Sequence, residues 1–267
     1  VVPVPVTLSG VLFPPGKIAH TSFSEVADLW LDHVRASGVM GDEVYQPCLE
    51  MNPVSDQLKQ KSCVANAGAD GLELCMGLDQ EIVQLSRDAL YYWSRVLHGG
   101  QMEDEGTYVH TMLQQANTMG VLPESRWDYT VEHVEVAPPN DVIIAASNNR
   151  IKGYYQITHM GSRRGDSIEI AIRAGQVVIG SWTLAPDFGD TRPGQVVQPG
   201  IQVWGYHAML IVGFKVLANG QRIFRVRNSW GPSWCDGGYC WVSEEFISSP
   251  VHFTDIWAIT AQKKLVL

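Results

Sequence analysis

The sequence predicts an α+β fold of two lobes, a helical one followed by a mostly antiparallel β one. Three observations carry that expectation. Between about Asp56 and Asp128 apolar residues recur at helical spacing, and from about Val142 onward the pattern turns into short apolar strands bounded by turn residues. Asn219-Gly220, set between two of those strands, is the third, a short-range hairpin signal. The 267 residues, 45% of them apolar, suffice for a well-buried core shared by two lobes around a cleft.

The elements follow in order. Residues 1–45 read as an N-terminal arm. Val1 to Pro15 is Pro-rich and extended, and Ser22 or Ser24 can cap one amphipathic helix that Gly38 ends. Residues 46–140 read as the helical lobe. Ser62 can cap a helix through Val64, Ala65, Ala69 and Leu72, Ser86 opens a second that ends before Gly99-Gly100, and a third starts near Thr107 and stops at Gly120. Residues 141–267 read as the β-rich lobe. One helix there is signalled by Asp166 with Glu169 three residues on, and strands are expected over 177–182, 203–214, 222–228, 239–243 and 253–261. The long Pro- and Gly-rich connection 185–200 is of a length that is more often functional than idle.

Composition excludes several roles. Acidic residues outnumber basic ones by 28 to 19 without any Lys/Arg-rich run, so nucleic acid and anionic membrane surfaces are poor partners. Apolar stretches such as Ala208 to Val212 fall far short of the roughly 20 residues a bilayer needs, so no membrane insertion is expected. Val1 to Phe13 lacks a basic n-region and does not read as a signal peptide, which leaves a secreted or virion-associated setting as an open reading. The histidines other than His207, among them His98, His110 and His252, lack metal-ligand spacing and read as surface or packing residues. Neither a metal nor a cofactor is expected.

An odd set of five cysteines, Cys48, Cys63, Cys75, Cys235 and Cys240, leaves at least one outside any intrachain disulfide. Cys63 falls on the first turn of a predicted helix, where unpaired N–H groups and the helix dipole favour a thiolate. Taken alone, a buried cysteine is more often inert. His207 lies within Gly205-Tyr-His-Ala-Met-Leu-Ile-Val-Gly213, at the mouth of an apolar strand, and Asn228 opens Asn228-Ser-Trp-Gly231, followed by Trp234 and Gly238-Tyr239. Alone, each of these two has a bland reading as a core histidine and a turn residue. In the order Cys, His, Asn they supply a nucleophile, a general acid/base and a carbonyl that orients the imidazole.

These residues resemble the papain-like cysteine peptidase family, over about Asn52 to Ala261. The resemblance rests on Pro53-Val54 with Asp56-Gln57, Ser62-Cys63 six residues after Gln57, the segment around His207, and Asn228-Ser-Trp-Gly with Trp234 and Gly238-Tyr239. Gly120 to Tyr129 also looks like the segment leaving the helical lobe in that family. The resemblance implies a helical left lobe and a barrel-like antiparallel right lobe with the active site in the cleft between them. It implies peptide-bond hydrolysis through a Cys63 thioester, with His207 as general acid/base, Asn228 orienting it, and Gln57 with the Cys63 N–H as oxyanion donors. Trp230 and Trp234 would shield the His207–Asn228 bond, and the substrate is a polypeptide.

The pattern departs from the family in places. Gln60 and Val64 stand where a cysteine and an aromatic residue are usual, so the customary disulfide at the foot of the active-site helix is absent; Cys235 replaces a glycine. The variant looks like a bacterial or phage branch. Alternative readings are a cell-wall amidase or transpeptidase, and a binding component of a virion or secreted assembly with a vestigial cleft. Glu103-Asp104-Glu105 reads as a solvated loop, or as a cleft border that favours basic residues, with Gly106 presenting its backbone to substrate. Among the remaining cysteines, Cys235 and Cys240 could close a local loop or be two thiols.

Overall fold

The computed structural model describes residues 53–76, 83–99, 103–151 and 153–260. The expected arm over 1–45, its helix and Cys48 lie outside the described residues. Three helices come first: α1 (Cys63–Met76), α2 (Arg87–His98) and α3 (Val109–Thr118). Helix α2 begins as expected, with the Ser86 side chain accepting the Ala89 N–H and Gly99 closing it in the left-handed region. Helix α1 does not use Ser62 in that way. Its hydroxyl is turned to Tyr129 Oη at 2.7 Å and takes the Asn66 side-chain amide at 2.9 Å.

The sheet follows, with strands β1 (Tyr154–Gln156), β2 (Val177–Leu184), β3 (Val196–Val197), β4 (Gly205–Val216), β5 (Arg222–Arg227), β6 (Tyr239–Ser243) and β7 (Phe253–Ile259). They form one seven-stranded sheet in the order β1-β7-β2-β4-β5-β6-β3, antiparallel except where β3 joins β6 in parallel. The hairpin predicted at Asn219-Gly220 connects β4 and β5, and Gly220 takes the positive φ of 82° that such a turn needs.

Alternation along the strands divides the core in two. Val177 and Ile179 of β2, with Ala208, Leu210 and Val212 of β4, pack with Val64, Leu72, Leu90 and Met112 of the helices. Val178 and Trp182 of β2, with Met209 and Ile211 of β4, face the other way onto Ile168, Ile172 and Phe246. Both faces of the central strands are covered, which explains why Ala208 to Val212 reads as an unbroken apolar run. Each buried Leu, Ile or Val side chain contributes about 1.5–3 kcal/mol of transfer free energy.

Two expectations change in this half. The region after Val142 is not yet strand: α4 (Asn140–Ser147) is helical, with Val142 and Ala146, four residues apart, packed on Trp93 and Leu122. The helix expected after Asp166 is α5 (Ser162–Arg173), which starts one turn earlier, after Gly161 at φ 59°. Asp166 and Glu169 do not cap it. They lie inside it and pair with Arg222 of β5 at 2.7 and 3.1 Å. A short helix α6 (Glu244–Ser248) links β6 to the turn before β7. Among the described residues no helix is long and apolar enough to cross a membrane.

Candidate active site

The sheet brings together residues that the sequence holds far apart. Cys63 is the first residue of α1 and is fully buried against β4. His207 is the third residue of β4, and Asn228 follows directly on β5, the next strand over. Their side chains meet, His207 Nε2 to Asn228 Oδ1, at 2.7 Å. Asn228 Oδ1 also accepts the Ser229 N–H at 2.8 Å, which fixes the amide with its oxygen toward the ring. An accepting oxygen requires the proton on Nε2, so the neutral imidazole carries a lone pair on Nδ1. That Nδ1 is buried and has no hydrogen-bond partner.

The electrostatics of the thiol differ from the sequence expectation. The backbone N–H groups of Val64 and Cys63 at the helix start, and that of Ala208 on β4, favour the thiolate. Burial outweighs them and pushes the Cys63 pKa up to about 12. Burial likewise takes His207 down to about 4, against the opposing effect of its bond to Asn228. Burial therefore favours the neutral form of each group.

Gln57 lies on the loop before α1. Its N–H donates to Ser229 O at 2.9 Å, its Oε1 accepts the Ser229 hydroxyl at 2.8 Å, and its Nε2 donates to Gln60 O at 3.0 Å. With Ser55 O accepting the Gly231 N–H at 2.9 Å and Asp56 bridged to Trp230, the loop forms a short antiparallel clasp with the Asn228–Gly231 segment. One Nε2 proton is used by Gln60; the second remains to donate elsewhere.

Further residues fix this loop. Tyr129 donates its hydroxyl to Gln57 O at 2.9 Å, and the Arg87 guanidinium lies 4.1 Å from the Tyr129 ring. Gln60 donates to Asp88 at 3.0 Å. Tyr129 falls within the resemblance as part of a chain segment, yet nothing local in the sequence shows that it reaches Gln57.

Trp230 stacks on His207, with ring centroids 5.0 Å apart and planes 28° apart. Trp234 does not reach the imidazole directly. It packs edge-on to Trp230 at 5.5 Å, stacks on Phe188 at 5.4 Å and donates its indole N–H to Gly189 O at 3.2 Å. Phe188, missed from sequence, completes this aromatic wall by meeting Trp230 at 5.7 Å. The signal that could have found it is the length of the 185–200 connection. Gly106 is buried at φ 87°, and its N–H is committed to Tyr91 Oη at 2.9 Å.

Of the other features, Cys235 and Cys240 are separate thiols, so no disulfide closes the turn between them, and the Cys75 thiol donates to Ile259 O at 3.4 Å. His110 packs at 5.0 Å on Trp257, and His252 bonds Thr183 at 2.7 Å. The His98 side chain lies outside the description. Among the described residues no cluster of three or more metal-ligating side chains occurs.

A buried thiol at a helix start, packed on the strand that carries a histidine held by an asparagine, is an arrangement that suits the thiol hydrolases as a class. Residues 42–250 match the papain family cysteine protease model, and the chain belongs to that family. It is a cysteine-type peptidase with the family's α+β two-lobe fold. The chain is 27% identical over 220 residues to an uncharacterised peptidase C1-like protein of Acanthamoeba polyphaga mimivirus, an alignment covering 76% of this chain and 68% of the viral one. Over 260 residues it is 24% identical to a cathepsin B-like cysteine proteinase of Caenorhabditis elegans, covering 84% and 73%. Among solved structures it resembles xylellain, a cysteine protease from Xylella fastidiosa, with a TM-score of 0.76, 20% identity, and 97% and 98% of the two chains covered. Bromelain from Ananas comosus, solved with an inhibitor, gives a TM-score of 0.62 at 18% identity over 79% and 94%.

Proposed function

We propose that this peptidase cleaves polypeptides through Cys63, with His207, Asn228 and Gln57 as its partners. The observation that carries the reading is the 2.7 Å bond from His207 Nε2 to Asn228 Oδ1, because it leaves the Nδ1 lone pair free to take the Cys63 proton. As substrate enters, His207 Nδ1 takes that proton and the sulfur attacks the peptide carbonyl carbon. The carbonyl π electrons move onto oxygen, which the Cys63 N–H and the second Gln57 Nε2 proton stabilise. Collapse expels the amine, which leaves with the proton from His207, and a thioester remains on Cys63. Water, deprotonated by the same nitrogen, then releases the acid and regenerates the thiol.

In this reading Asn228 keeps one tautomer through the cycle, and Trp230, backed by Trp234, keeps water off the His207–Asn228 bond. Gly106 would offer its carbonyl to an extended substrate, since its N–H is committed to Tyr91. Labelling of the full chain with a thiol-directed epoxide tests the assignment, with Cys63→Ala as control. One equivalent bound to Cys63, with parallel loss of peptide hydrolysis, is expected. Label on another cysteine with hydrolysis retained would overturn it.

A further inference from the structure

The turn leading into Cys63 lacks the cysteine that would cross-link it in the family pattern, since Gln60 occupies that position. Something else must hold it. A carboxylate from a segment 43 residues away does so: both oxygens of Asp104 accept the Lys61 N–H, at 2.9 and 3.1 Å. A carboxylate that takes a backbone N–H with both oxygens fixes the direction of that peptide as well as its position. Lys61 is two residues before Cys63, and Ser62 and Cys63 continue from it into the helix.

Asp104 is itself held from behind. Fully buried Tyr91 of α2 donates its hydroxyl to Asp104 Oδ1 at 2.6 Å and accepts the Gly106 N–H at 2.9 Å. Burial and the neighbouring carboxylate raise the Tyr91 pKa, so its hydroxyl stays protonated and remains a donor. Arg95 stands 4.2 Å from the Tyr91 ring and donates to Glu103 O at 2.7 Å, which fixes the start of the same loop. One chain of bonds thus runs from the peptide before the nucleophile, through Asp104 and Tyr91, to the Gly106 backbone. The middle residue of an acidic triplet that reads as solvated loop is therefore a structural anchor.

We propose that Asp104, seconded by Tyr91, is a positioning residue that sets the Cys63 thiol and the Gly106 backbone in one register, where a disulfide would otherwise close the loop. The proposal rests on Cys63 being the nucleophile, and its consequence is a rate effect separable from folding. Asn at this position keeps an oxygen for the Lys61 N–H and the Tyr91 hydroxyl, whereas Ala keeps neither.

The test compares Asp104→Ala, Asp104→Asn and Tyr91→Phe in the full chain by peptide hydrolysis, by the rate of epoxide labelling at Cys63, and by thermal unfolding. For folded Asp104→Ala, kcat and the labelling rate are expected to fall tenfold or more, with KM within threefold, while labelling still reaches one equivalent. Asp104→Asn should recover activity to within threefold of the parent, and Tyr91→Phe should fall between the two. If Asp104→Ala does not fold, Tyr91→Phe decides: a loss of threefold or more in kcat supports the proposal and an unchanged kcat overturns it. Folded Asp104→Ala with kcat within twofold of the parent, or Asn no better than Ala, overturns positioning while leaving Cys63 as nucleophile. A parent chain that hydrolyses peptides without labelling at Cys63 overturns the nucleophile assignment and the positioning proposal with it.

Discussion

Arg227 and Asp70 form a fully buried ion pair, Nε to Oδ2 at 2.6 Å, that joins the strand leading into Asn228 to the helix of Cys63. Arg227 directly precedes Asn228, and Asp70 lies seven residues beyond Cys63, two turns along the same face of α1. The pair is completed by the Ser55 hydroxyl on Asp70 and by Arg227 donating to Tyr239 Oη and Pro53 O. It therefore ties both to the segment that leads to Gln57. Removing one partner leaves a buried charge without its counterion, so Asp70→Ala should cost about 3–5 kcal/mol in urea unfolding. The double change Asp70→Leu with Arg227→Met should recover most of that loss. A single variant within about 1 kcal/mol of the parent would refute a structural role for the pair.

Gln57 and Asn228 should separate kinetically. In the proposed mechanism Gln57 donates to the developing oxyanion, so Gln57→Ala is expected to lower kcat by roughly 10²–10³. It should leave alkylation of Cys63 by iodoacetamide nearly unchanged, because that reaction forms no oxyanion. Asn228→Ala releases the imidazole tautomer and should slow both reactions by roughly 10–100-fold, which corresponds to about 1.4–2.7 kcal/mol. Equal effects of Gln57→Ala on both reactions would contradict its assignment.

Asp255 gives a pH dependence of defined sign. It stands on β7 at φ 49°, accepts the Trp257 indole N–H at 2.7 Å on Oδ1, leaves Oδ2 buried without a partner, and is favoured as a carboxylate by the backbone N–H groups of Val109 and His110 at the start of α3. Burial outweighs these effects and raises its pKa from 3.8 to about 6. A carboxyl whose pKa is higher folded than unfolded binds a proton more readily when folded, so its cost is present above pH 6 and vanishes below about 4. Asp255→Asn should thus be more stable than the parent at pH 7.5, by on the order of 1–3 kcal/mol, with the gap closing at pH 4. A gap that widens toward pH 4 would reverse the sign.

Two glycines at positive φ should respond differently to alanine. At Gly120 a Cβ would meet Ala146 O at 1.9 Å, whereas at Gly99 nothing lies within 4 Å. Gly99→Ala pays only the left-handed backbone, about 1–2 kcal/mol. Gly120→Ala adds a clash with main chain that cannot rotate away, so it should unfold at clearly lower temperature, by 4 °C or more beyond Gly99→Ala. Equal melting temperatures would refute the contact.

Most helices and strands and the Cys63, His207 and Asn228 order were legible because each rests on local signals: period 3.6, period 2, and short motifs such as Ser62-Cys63, Gly205-Tyr-His207 and Asn228-Ser-Trp-Gly231. Helix α4 escaped because it spans only eight residues and its apolar face, Val142 and Ala146, is defined by Trp93 and Leu122, which lie far off in the sequence. The start of α5 was misplaced because Asp166 and Glu169 look like capping residues, and their partner Arg222 is more than fifty residues away.

The sequence by itself determined which residues could do the chemistry and in what order the elements come, since composition and periodicity act over a few residues. Only the tertiary structure decided how those residues are held. It turned Asp104 from a solvated charge into the anchor of the Cys63 turn, and it set Arg227 against Asp70. It also reversed the expectation for the thiol, because the helix terminus favours a thiolate locally while burial, which no local pattern encodes, favours the thiol more strongly.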